Sequence, residues 1–140
     1  MSFLKKLEPL TLLLLRLGLA LVFLYHGYPK LFGENERIIE AFQAIGLPTY
    51  VVYLTGGIEF FAGIALALGV LTPIAGLLLL LDMAAAMWKY NFNEGIYAVR
   101  EYELPLTLGL ACLALAANGG GPLSLDRFLF RKTSNPEANR

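Results

Sequence analysis

Three ionisable residues stand inside otherwise apolar stretches of this sequence: Arg16, Glu59 and Asp82. A charge at the centre of a lipid bilayer costs about 2.5 to 3.5 kcal/mol even on the lenient insertion scale, so such groups face a packed interior, pair with one another or serve a ligand. Gly56 lies three residues before Glu59 and Gly63 four after it, a helical spacing that stacks all three on one face and lets a second helix approach the carboxylate. Asp82 shares its helical face with Ala75, Ala85, Ala86 and Lys89. Both carboxylates are therefore expected to point inward, with Arg16 reaching toward them. Two acids against one guanidinium leave an excess negative charge, which predicts that one of the acids holds a proton. Two roles suit such a cluster. It can fix helix register, or it can exchange a proton with, or bind the polar head of, a ligand.

A second group of residues gathers near the ends of the apolar stretches: Tyr25, His26, Tyr28 and Lys30, then Trp88, Lys89 and Tyr90, then Tyr97, Arg100, Glu101, Tyr102 and Glu103. The tyrosines, the tryptophan and the lysines suit an interfacial belt with snorkelling ammonium groups. His26 is the sole histidine, and its imidazole can bond a carbonyl or pass a proton. Glu103 can bond a ligand head group or simply complement a helix dipole. One histidine and one cysteine supply too few preferred ligands for a transition metal, so no metal site is expected. Cys112 also excludes an internal disulfide or a CxxC pair and reads as a small packing residue.

These groups must be held by membrane helices. The chain has 140 residues, 57% hydrophobic and 16% charged, with a net charge of zero, which excludes a disordered tail and argues against a nucleic-acid partner. Apolar windows long enough to cross a bilayer run over about 9–28, 50–71, 73–90 and 103–118. The first is expected to stop at Pro29, and the second and third to be joined by a tight turn at Leu71–Thr72–Pro73. Arg16 within the first window, and the lack of a small-residue cleavage pattern after it, favour a retained helix over a cleaved signal. The expected architecture is thus all-α: an integral membrane four-helix bundle forming one domain over 1–128, followed by a polar cytoplasmic tail over 129–140. Ile38, Ile39, Phe42 and Ile45 form one apolar stripe, predicting a short helix in the outer interface between the first two spans. Lys5, Lys6, Arg127, Arg131, Lys132 and Arg140 outnumber Lys30, Arg37, Lys89 and Arg100, which places both termini in the cytoplasm.

The stretch RLGLALVFLYHGYPKLFG, the GLP at Gly46 to Pro48, GGIEFFAGIALALGVLTP, the Asp82–Met83 pair and YELPLTLGLACLALAANGGGPLSLDR together resemble the DoxX family of small bacterial membrane proteins. The resemblance covers roughly residues 9–128. The family's polar pattern falls on Arg16, His26, Lys30, Glu59, Asp82, Glu103, Ser124 and Asp126. It implies a multi-pass protein of the bacterial inner membrane, in a family whose members are associated with quinone-linked oxidation, methylamine oxidation or oxidative stress and are called oxidoreductases largely by association. No GxGxxG follows a strand, so no intrinsic redox cofactor is expected, and a quinone or a cofactor-bearing partner protein would have to supply that chemistry.

Two functions remain open at this level. The first is an accessory subunit that binds a quinone-like or other amphipathic molecule in an inward polar cleft, with Arg16, His26, Lys30, Glu59, Asp82 and Glu103 as the ligand-binding or proton-exchanging residues. The alternative is a non-catalytic membrane scaffold that recruits partners, or a small proton-coupled carrier built as a homo-oligomer. Gly18, Gly69, Gly76 and Gly109 permit close packing of that kind without demanding it.

Overall fold

The computed structural model describes the backbone of residues 1–91 and 99–130 and the side chains of 1–89 and 99–130. Among the described residues there are seven helices and no strand: α1 (Ser2–Lys6), α2 (Glu8–Phe32), α3 (Glu36–Ala44), α4 (Thr49–Leu68), α5 (Thr72–Asn91), α6 (Val99–Asn118) and α7 (Leu125–Phe130). Of the tail expected over 129–140, Leu129 and Phe130 belong to α7, and the rest, with Arg131, Lys132 and Arg140, lies outside the described residues, as do Tyr97 and the side chain of Tyr90.

Pro9 opens α2, where its missing N–H would have had no helical partner anyway. The helix does not stop before Pro29. It runs one more turn to Phe32, and the Gly33 N–H bonds the Pro29 carbonyl at 3.2 Å. Helices in apolar surroundings tolerate an internal proline when neighbouring groups absorb the loss, and here the extra turn carries Lys30 on the helix itself. At the other end of the molecule α4 is closed by Gly69 at φ +70°, a left-handed position that costs glycine nothing. The Gly69 and Val70 N–H groups bond the Leu66 and Ala65 carbonyls at 3.2 and 2.9 Å. The chain then turns into α5 within three residues, so α4 and α5 run antiparallel.

Helix α2 packs extensively along α4, and α5 along α6; α4 against α5 joins the two pairs, whereas α2 and α6 touch little. All four helices contribute to one core, including Phe23 of α2, Leu66 of α4, Leu79 of α5 and Leu115 of α6. Large apolar side chains such as Leu14, Leu54, Phe61, Leu77 and Leu110 are exposed on the outside, as a protein solvated by lipid requires. Helix α2, helix α4 and residues Thr72–Lys89 of α5 are long and apolar enough to cross a membrane. Helix α6, which contains the fourth expected span, is not among them; its first turns carry Arg100, Glu101 and Glu103.

Candidate functional site

Glycines on α2 and α4 create the polar centre. A Cβ on Gly27 would sit 2.7 Å from the Phe60 nitrogen and 2.9 Å from the Gly56 oxygen, and one on Gly56 would sit 2.6 Å from the Lys30 Cβ. The two backbones can therefore approach closely at this level, and Lys30 is brought across the seam to Glu59. Its Nζ donates to Glu59 Oε2 at 2.6 Å, with side chains only 13% and 6% exposed. The Asp82 carboxyl, buried on α5, lies beside that of Glu59 and within electrostatic reach of Lys30. Glu59 and Asp82 thus meet inside the helices, but the cation beside them is Lys30 and not Arg16.

The reason is axial position. Gly27, which abuts the Glu59 Cβ, marks the level of the carboxylate on α2. At about 1.5 Å per residue, Arg16 lies roughly 16 Å further along the helix, beyond the reach of a guanidinium. Arg16 is 1% exposed and donates instead to the carbonyls of Gly120 at 2.8 Å and Leu123 at 3.1 Å. Around it the Asp126 carboxylate accepts from the Leu71 and Thr72 N–H groups at 2.6 and 2.8 Å, and Ser124 Oγ donates to the Gly121 carbonyl at 2.6 Å. Leu71 holds a φ of +50° there, and the tight space around Gly69 and Gly120 leaves no room for side chains. This cluster ties the loop after α6 to the α4–α5 turn.

Beside Lys30, Glu59 and Asp82 lies a cavity of about 430 Å³. Phe42, Ile45, Leu47, Val51, Met83, Ala86 and Trp88 supply apolar wall, and Thr55 and Lys89 add polar groups. Two members of the expected interfacial stripe, Phe42 and Ile45, therefore line this cavity. Gln43 Nε2 on α3 bonds Thr49 Oγ1 on α4 at 3.0 Å, and the Lys30 ammonium lies 5.9 Å from the centre of the Phe42 ring, so α3 is held over the site. An apolar chamber with a few convergent polar groups, within the roughly 300 to 1,000 Å³ typical of small-molecule pockets, is suited to an amphipathic ligand with a polar head.

His26 is exposed on α2, and its Nδ1 lies 2.8 Å from the Val22 carbonyl. Glu103 is exposed on α6 and lines none of the cavities described; its carbonyl accepts from Thr107 Oγ1 at 2.7 Å. The α6 acid that does line a cavity is Glu101. Its spacing to Leu104, Pro105 and Leu108, at three, four and seven residues, is the helical signal that marks this face. Trp88 and Lys89, read from sequence as belt residues, line the 430 Å³ cavity as well.

Fold and site together define a helical membrane protein with a buried lysine–carboxylate cluster facing an apolar chamber. The DoxX family pattern matches residues 11–93, and the chain belongs to that family. It is 32% identical over 123 residues, covering 88% of this chain and 90% of the relative, to a Bacillus subtilis (strain 168) protein named "Putative oxidoreductase CatD". It is also 32% identical over 133 residues, covering 91% of this chain and 98% of the relative, to "Inner membrane protein YqjF" of Escherichia coli (strain K12). A Mycobacterium tuberculosis membrane protein is 30% identical over 141 residues, covering 90% of this chain and 85% of the relative. No solved structure matches. The chain is a multi-pass protein of the bacterial cytoplasmic membrane.

Proposed function

We propose that this protein binds an amphipathic, quinone-like molecule in the 430 Å³ cavity and serves as an accessory subunit of a quinone-linked redox system. In this reading α6 is the fourth span of a four-helix bundle with both termini in the cytoplasm. The observation that carries it is the Lys30–Glu59 pair, with Asp82 beside it, set in the wall of an otherwise apolar chamber. The Lys30 ammonium donates to a carbonyl oxygen of the ligand head. The two carboxyls face one ammonium, and a proton shared between them brings the cluster to neutrality, where it can be passed to the ligand or taken from it. The apolar wall holds the ring and excludes bulk water. A quinone bound here would supply the two-electron chemistry that these side chains lack, its electrons coming from a partner protein.

Native mass spectrometry and lipid extraction of the protein purified in mild detergent test this reading. A quinone or other amphipath should co-purify and be lost in Glu59→Gln with the fold intact. A protein carrying only bulk lipid, equally in both forms, would instead favour a scaffold that recruits partners through its loops.

A further inference from the structure

Glu59 borders a second cavity, one that Leu47 and Val51 do not line. It occupies about 280 Å³ between α2, α5 and α6, where α2 and α6 touch little. Its polar lining is His26, Glu59 and Glu101, and Met83 and Ala86 form wall common to it and the larger chamber. Two details fit it to water. The Val22 carbonyl can only accept, so His26 Nδ1 carries the hydrogen of the 2.8 Å bond and Nε2 keeps a free lone pair. Pro105 has no N–H, which leaves the Glu101 carbonyl without its helical partner. A water takes about 30 Å³ of liquid volume and needs two to four polar partners, so the cavity has both the room and the groups for a short chain of waters.

We propose that this cavity is the route by which solvent protons reach Glu59, entering past Glu101 and His26 and remaining separate from the ligand chamber. His26 Nε2 accepts a proton from water at the mouth, and the resulting imidazolium releases it to the internal water chain. The chain delivers one proton to the Glu59 carboxylate, and His26 returns to its neutral form, so the net change is a single proton moved from solvent to carboxylate. The use of that proton rests on the function proposed above; the existence of the route does not. A ligand that approaches through the apolar chamber and protons that arrive through the α2–α6 cleft need not displace each other.

The test uses the full chain in proteoliposomes with no ligand added. In a Cys112→Ala background, Glu59→Cys is treated with a small cationic methanethiosulfonate, which reacts only where water reaches the thiolate. Leu104→Trp, filling the second cavity, should slow labelling about tenfold, a barrier rise of roughly 1.4 kcal/mol. Val51→Trp, filling the ligand chamber, should leave the rate within about twofold of its starting value. Slowing by Val51→Trp and not by Leu104→Trp, or equal slowing by both, would overturn the proposal. Should Glu59→Cys fail to fold, Leu108→Cys, on the wall of the second cavity, should label at least about tenfold faster than the outward-facing Leu110→Cys. Equal rates would overturn it. An absence of co-purified amphipath would count against the ligand reading alone and leave these rates standing.

Discussion

Two shielded cations of α2, Arg16 about two turns inside its N-terminal end and Lys30 in its last turn, are satisfied in different ways. Arg16 spends its guanidinium on backbone carbonyls of the loop after α6, in a setting packed tightly enough that Gly69 and Gly120 have no room for a side chain. Lys30 faces a carboxylate at 2.6 Å with a second carboxyl beyond it, and open volume lies alongside. A buried charge held by main-chain carbonyls, with no space around it, has a structural task. One paired with titratable groups beside a chamber can exchange partners. The difference lies in the neighbours and not in the depth of burial, since both cations are well shielded.

Substitutions can break that contrast or sharpen it. The largest effect is expected from Arg16→Leu, which removes two charge-assisted bonds and leaves buried carbonyls unpaired; it should lower stability in detergent by about 3 to 5 kcal/mol, read from thermal unfolding, with ligand retention per folded molecule unchanged. Gly27→Ala would push the α2 and α4 backbones apart at the level of Glu59 and should destabilise by about 1 to 3 kcal/mol while also weakening ligand retention, because the Lys30–Glu59 geometry depends on that approach. Asp126→Ala removes the acceptor for the Leu71 and Thr72 N–H groups at the start of α5 and should cost about 1 to 2 kcal/mol, again without touching the ligand. Gly57→Ala, one residue from Gly56 but with nothing within 4 Å of the added Cβ, should raise stability by up to about 1 kcal/mol through helix propensity. A destabilising Gly57→Ala would show that the open space beside that residue is filled by a neighbouring helix in the membrane.

Much of this arrangement was legible in the residues. The apolar windows located the long helices, and the Gly56–Glu59–Gly63 spacing located the packed seam. Glu59 and Asp82 were readable as neighbours because antiparallel helices of similar length put both near mid-depth. The partner of Glu59 was not readable in the same way. Arg16 lay inside an apolar run and so looked like the buried cation, while Lys30 followed a proline and looked like an interfacial one. The continuation of α2 through Pro29, and the close approach that Gly27 permits from the opposite helix, bring Lys30 to Glu59, while Arg16 is buried as read but further along the helix. Both depend on tertiary packing, which hydrophobic periodicity along one helix does not encode. The same holds for α3, whose apolar stripe is as compatible with lipid as with a chamber until Phe42 and Ile45 are seen lining one.

The most direct test of the central claim, that the Lys30 cluster serves a ligand and the Arg16 cluster serves the fold, is to measure bound amphipath and thermal stability together in Lys30→Gln and Arg16→Leu. Lys30→Gln should lose bound amphipath by about tenfold or more with the smaller fall in melting temperature, and Arg16→Leu should show the reverse. Retention of the amphipath in Lys30→Gln at the unsubstituted protein's level would contradict the account.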